Sequence, residues 1–142
     1  MIEIDGKNYI EMINRVYEIK YEKIVNWECP NTKDDLNERK YLLSRIDECV
    51  KVLKKDRNSR RATFANLYDN NLCKCISLVC LFIRDGKLNI NEVYRSQDKE
   101  KNYDFDCQTA IMLMDKALKK MNDKNLKPGK ITVFCFNFHK QL

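Results

Sequence analysis

Two apolar arms joined by one tight turn limit what this chain can fold into. Ile76-Ser77-Leu78-Val79-Cys80-Leu81-Phe82-Ile83 is a β-branched and apolar run, and Leu88-Asn89-Ile90-Asn91-Glu92-Val93 alternates apolar with polar residues. Between them, Asp85-Gly86 is a dipeptide that supplies the positive φ angles a two-residue turn needs. The pattern predicts a β-hairpin at the centre of the stretch Asn71 to Asp98, its first arm buried on both faces and its second on one. Cys75 stands where the hairpin begins and Arg95-Ser96 where it ends. A thiol at one end meets a guanidinium and a hydroxyl at the other, a layout suited to a nucleophile beside an anion.

Around the hairpin the chain reads as mixed helix and strand. Ile2 to Ile4 predicts a short strand and Asp5-Gly6 a turn, while Tyr9, Ile13, Val16 and Tyr17 fall at helical spacing. A break follows at Trp27-Glu28-Cys29-Pro30, because proline drives its predecessor out of the helical region, and the polar residues to Asn37 predict a loop. Leu42, Leu43, Ile46, Cys49, Val50 and Leu53 form one stripe, so Glu38 to Lys55 reads as an amphipathic helix. Ala62 to Leu67 is an extended apolar run, followed by a polar turn at Tyr68 to Asn71. Gln97 to Asp104 reads as a charged surface loop, and Phe105 to Met121 as a helix with Ala110, Ile111, Met114 and Leu118 on one face. Lys127-Pro128-Gly129 predicts a turn and Ile131 to Phe138 a final buried strand.

One domain of 142 residues, 44% apolar and 34% charged, is ordinary for a folded globular chain and excludes disorder. The net charge of +6 permits acidic partners, yet the only tight basic cluster is Lys54-Lys55-x-Arg57-x-x-Arg60-Arg61. Nucleotide phosphate accounts for that cluster as well as nucleic acid does, so nucleic acid is not the expected partner. Seven cysteines at irregular spacing lie mostly inside the predicted elements, which points to free thiols and a reducing cytoplasm. Cys73-x-Cys75 lacks the second ligand pair of a zinc site, and His139 is the only histidine, so no metal is expected. No run of membrane length and no signal peptide is found.

Several spaced elements together resemble the core of thymidylate synthase: Ser59-Arg60-Arg61, Cys75, Asp85-Gly86-Lys87-Leu88, Arg95-Ser96-x-Asp98, and Phe105-Asp106 opening an apolar helix. From Cys75 to Asp106 the likeness runs without a gap. Ile46-x-x-Cys49-Val50-x-x-Leu53-Lys54-Lys55 resembles the helix that leads into that family's paired arginines, so the likeness covers roughly Glu38 to His139. The resemblance implies a single α+β domain with a mixed sheet flanked by helices, in which residues 1–37 are a divergent N-terminal helix and loop and 38–142 the family-like core.

By the same resemblance Cys75 matches the nucleophile whose thiolate adds to C6 of a pyrimidine nucleotide. A thiolate is favoured by a positive neighbour, which Arg95 supplies. Arg95 and Ser96 match the phosphate-binding pair, and Asp98 the acidic residue near the ring. Arg60 and Arg61 match arginines that reach a neighbouring subunit's site, which implies a homodimer or a higher homo-oligomer. Their planar forks fit phosphate oxygens two at a time. Tyr94, Asn102, Phe134 and Phe136 fall on the expected pocket wall.

Departures shape the functional expectation. Ile76 stands where the family has a histidine, Tyr94 where it has a glutamine, and Phe134 and Phe136 where a histidine and a tyrosine hold the sugar hydroxyl. Phenylalanine has no hydrogen-bonding atoms, so the ligand is held differently or is not a simple deoxyribonucleotide. Asp106 replaces the asparagine that reads the pyrimidine edge, a change that suits an exocyclic amino group and resembles the cytidylate hydroxymethylases; an acid at a helix N-terminus also needs no ligand to explain it. No counterpart of the family's Glu-x-x-Trp element or of its closing C-terminal peptide is found. The expectation is therefore a reduced pocket that binds a nucleotide, to sense or sequester it, without a cofactor. The alternatives are a C5 transferase acting through Cys75 on dUMP, dCMP or CMP, with or without tetrahydrofolate, and a structural dimerisation module.

Overall fold

The computed structural model describes residues 1–22, 31–69 and 74–142. The elements run β1 (Ile2–Ile4), β2 (Lys7–Ile19), α1 (Lys33–Lys55), β3 (Thr63–Ala65), β4 (Ile76–Arg84), β5 (Lys87–Tyr94), β6 (Gln97–Asp98), α2 (Tyr103–Met121) and β7 (Lys127–Gln141). They form a mixed α+β domain with one seven-stranded sheet in the order β1-β2-β7-β5-β4-β3, and β6 pairs with β7 off that path. Neighbours are antiparallel except β5 with β7 and β6 with β7, which are parallel.

The central hairpin forms as its sequence requires. Asp85 and Gly86 take φ of 53° and 71°, and Arg84 pairs with Lys87 across the turn. Val79, Leu81, Ile83, Leu88 and Ile90 are buried on the face that the helices cover, each contributing roughly 1.5–3 kcal/mol. The first arm is not buried on both faces, however: Leu78 on β4 is 37% exposed. Val16, Phe134 and Phe136 are likewise exposed, leaving an apolar sheet surface that this chain does not cover by itself.

The N-terminal helix is corrected to a strand. Asp5 and Gly6, at φ 51° and 75°, make a tight turn that returns the chain as β2, which pairs with β7 from Tyr9↔Gln141 to Ile19↔Ile131 with a break at Asn14. Apolar residues occur on both faces of β2, and that two-sided pattern mimics helical spacing. Helix α1 begins at Lys33 rather than Glu38, because Thr32 and Asp35 form a capping box: Thr32 Oγ1 accepts the Asp35 amide at 3.1 Å, and the Asp35 carboxylate accepts the Thr32 amide at 3.4 Å. The extended run after the paired arginines narrows to β3. The Trp27 to Pro30 break, Cys73, and the Asn70-Asn71 half of the expected turn lie outside the described residues.

Gln97 to Asp104 is not a surface loop throughout, since Gln97 is buried and pairs with Phe138. Lys127-Pro128-Gly129 opens β7 instead of turning. The turn lies earlier, where Asn122 ends α2 in the left-handed region and the Leu126 amide bonds to the Asp123 carbonyl. A Cβ on Gly129 would stand 2.8 Å from the Leu88 carbonyl oxygen, so glycine there permits close strand approach. No helix among the described residues is long and apolar enough to cross a membrane.

A row of irregularities crosses the sheet. The β4/β5 register shifts between Ile76 and Leu78, and Ile76 and Val79, three apart, are both buried. Ile76 pairs with Tyr94, Tyr94 with Cys135, and Cys135 with Arg15, next to Asn14 at φ 54°. On β7, Cys135 and Phe138, also three apart, are both buried, so the in-and-out alternation slips along this row. The candidate site lies beside it.

Candidate functional site

Cys75, Arg95 and Ser96 converge at the two ends of the hairpin. The Arg95 amide donates to the Cys75 carbonyl at 2.6 Å, which closes the arms, and an Arg95 guanidinium nitrogen stands 3.7 Å from Cys75 Sγ. Ser96 Oγ is also 3.7 Å from that sulfur. A positive group and a hydroxyl therefore face one partly exposed thiol, as the sequence implied.

Two cavities meet at Ser96. The first, about 140 Å³, is lined by Cys75, Ile76, Tyr94, Ser96, Gln97, Asn102 and Phe105, with the acids Asp35, Glu38 and Asp106 and one base, Lys74. Asp106 lies at the start of α2 and is held by Gln97, whose amide donates to it at 2.9 Å; the Tyr17 hydroxyl in turn donates to Gln97. Burial raises the Asp106 carboxyl to about 7 against the pull of that amide. Glu38 is held by Asn66, whose amide donates to Glu38 at 2.9 Å and to the Ile76 carbonyl at 3.0 Å. Burial pushes its carboxyl upward, with the Asn66 bond opposing. Arg39 fixes α1 against α2 by donating to Thr109 and Gln108 at 2.9 Å each while lying 3.7 Å over the Phe105 ring, so the two helices present Glu38 and Asp106 to one space.

The second cavity, about 310 Å³, is lined by Ile4, Tyr9, Glu11, Arg95, Ser96, Asn137 and His139. Its volume is within the range of small-molecule sites. Asn137 donates to Glu11 at 3.0 Å, and the rings of Tyr9 and His139 meet edge to face at 5.6 Å. His139 Nε2 is 3.8 Å from Asp98, whose carboxylate also accepts the amides of Glu100 and Lys101. Asp98 is thus connected to the second cavity through His139, and it is not among the residues that line either cavity.

Phe134 and Phe136 do not line either cavity; they are 37% and 54% exposed, out of phase with buried Val133 and Cys135. Because the alternation slips, the polar Asn137 and His139 face the site instead. Arg60 and Arg61 line a separate cavity of about 600 Å³ with Lys55, Asn58 and Ser59, which shares no residue with the other two. Glu38, Asp35, Lys74, Tyr9, Glu11, Asn137 and His139 were not read as site residues from sequence. The Thr32 to Asp35 capping box was the one signal that would have brought Asp35 onto the helix that already carries Glu38.

The fold these elements define is that of thymidylate synthase. The solved structure of thymidylate synthase from T4 phage superposes with a TM-score of 0.61 at 23% sequence identity, over 69% of this chain and 35% of that one. The chain therefore spans about a third of the length of the protein it matches. No family model and no curated protein matches its sequence.

Proposed function

We propose that this chain binds a pyrimidine nucleotide, with phosphate at Arg95 and Ser96 and the ring in the cavity of Cys75 and Asp106. One observation carries the reading: the Arg95-Ser96 pair stands at the junction of a cavity sized for a sugar phosphate and a smaller one walled by Asp106, Asn102 and Tyr94. The thymidylate-synthase fold supports it. The binding site is a shortened and divergent version of the one the fold is known for, and the role is to sense or sequester the nucleotide. Ile76, beside Cys75, offers no proton to a reacting ring. The exposed sheet face pairs with its copy in a homodimer, across which Arg60 and Arg61 reach the partner's phosphate. Mass spectrometry of ligand released from purified, heat-denatured protein tests the reading: a pyrimidine nucleotide is expected, and a different class of ligand in its place contradicts it.

A second reading is favoured by Glu38. A carboxylate raised by burial, in the same cavity as a thiol that faces a guanidinium, is the equipment for proton transfer at a ring that the thiol has attacked. That reading makes the chain a C5 transferase acting on dUMP, dCMP or CMP, and tetrahydrofolate would then supply the one-carbon unit.

A further inference from the structure

Glu11 is the one acid on the wall of the larger cavity, and neither the phosphate nor the ring in the proposed binding mode uses it. It comes from the middle of β2, directly across from His139 in the β2/β7 register, and Asn137 on the neighbouring strand holds one of its oxygens at 3.0 Å. No salt bridge to Glu11 is found among the described residues. Arg95 and Ser96 line the same cavity from the other side of β7, where they follow β5, whereas Glu11 is on β2. The cavity is thus polarised, with donors that fit an anion at one end and a fixed, acceptor-only carboxylate at the other.

A phosphate is repelled from the Glu11 end, and a lone hydroxyl uses one carboxylate oxygen. A vicinal diol offers two adjacent O–H donors to the two oxygens of one carboxylate, the same chemistry by which an acid recognises ribose in dinucleotide-binding folds. We infer that Glu11 selects a ribose 2′,3′-diol, so that the ligand is a ribonucleotide rather than a deoxyribonucleotide. Asn137 is a positioning residue that keeps the Glu11 carboxylate turned toward the cavity. The inference rests on the nucleotide reading of this site and adds the sugar to it.

Titration calorimetry with CMP, dCMP, UMP and dUMP on the wild-type chain and on Glu11→Gln, with ribose 5-phosphate and 2-deoxyribose 5-phosphate as probes that lack a base, tests it. The ribo form of each pair is expected to bind the wild type about tenfold more tightly, the effect of one hydrogen bond to a charged group, and Glu11→Gln is expected to erase most of that difference while still binding the deoxy forms. Equal affinity for ribo and deoxy forms in the wild type overturns the diol assignment and leaves the nucleotide reading standing. A ribo preference that survives intact in Glu11→Gln assigns the sugar to another group and also overturns it. Binding of none of the six probes removes the nucleotide reading and this inference with it. Should Glu11→Gln fail to fold, as judged by near-ultraviolet circular dichroism, Glu11→Ala takes its place with the same expected loss of the ribo preference.

Discussion

Arg95 and Cys75 are joined twice, by a backbone hydrogen bond of 2.6 Å and by a guanidinium-to-sulfur approach of 3.7 Å. The first closes the hairpin; the second gives the only partly exposed thiol of the cavity a positive neighbour. Whether that pairing is used for chemistry is decided by a half-reaction that needs no one-carbon donor. Attack of a thiolate at C6 frees the hydrogen at C5 to exchange, so a working Cys75 releases label from a 5-deuterated uridine or cytidine nucleotide. Little exchange is expected from a binding protein. Exchange well above background that vanishes in Cys75→Ala, with nucleotide binding retained, would establish the transferase reading.

Glu92 should make the fold sensitive to alkali. It is fully buried on β5 between Ile90 and Tyr94, and neither carboxyl oxygen has a hydrogen-bond partner among the described residues. Burial, with nearby Asp106 adding to it, raises its carboxyl from 4.5 to about 8. A folded-state value above the unfolded one means that the unfolded chain gives up the proton first. Stability is therefore full below about 4.5 and falls as pH rises toward 8, by about 1.4 kcal/mol per pH unit within that window. Asp106, raised to about 7 by burial, adds a loss of the same sign. Urea unfolding at pH 6 and pH 9 checks this: Glu92→Leu should be distinctly more stable than wild type at pH 9 and gain less at pH 6. An equal gain at both values would show that Glu92 carries no proton linkage.

The uncovered sheet face sets the expected assembly. Val16, Phe134 and Phe136 are 59%, 37% and 54% exposed on neighbouring strands, and burying such a patch against a second copy is the economical way to cover it. Light scattering at micromolar concentration should give a dimer, and Phe136→Lys should shift it to monomer. The same variant should weaken nucleotide binding if Arg60 and Arg61 act across the dimer. A wild-type chain that is monomeric under these conditions would remove the arginine pair from the site.

How legible all this was in the sequence depended on local signals. Asp85-Gly86 with β-branched neighbours named the hairpin outright, because a tight turn and alternating arms leave few other solutions. The spaced likeness from Cys75 to Asp106 gave the fold, and Cys75, Ser96, Asn102 and Asp106 do meet at one cavity. β2 was misread because Tyr9, Ile13 and Tyr17 satisfy helical spacing while the strand carries apolar residues on both faces. Phe134 and Phe136 were misplaced for a different reason: they were matched by resemblance to the family's histidine and tyrosine, and the slip between Cys135 and Phe138 puts Asn137 and His139 at the site instead. Register irregularities depend on neighbouring strands, so β7 alone could not reveal this one. Asp35 was hidden because the loop-like composition around it masked the cap at Thr32, and Glu38 because its approach to Cys75 depends on how α1 packs on the sheet.

The measurement that bears most directly on the nucleotide reading is calorimetric titration of CMP and UMP into the wild-type chain, Arg95→Ala and Ser96→Ala. Each charge-assisted contact to phosphate is worth roughly 1.5–3 kcal/mol, so Arg95→Ala should weaken binding by about ten- to a hundredfold and Ser96→Ala by less, with circular dichroism unchanged in both. Wild-type affinity retained in both variants would contradict the phosphate site at Arg95-Ser96, and with it the function assigned to this chain.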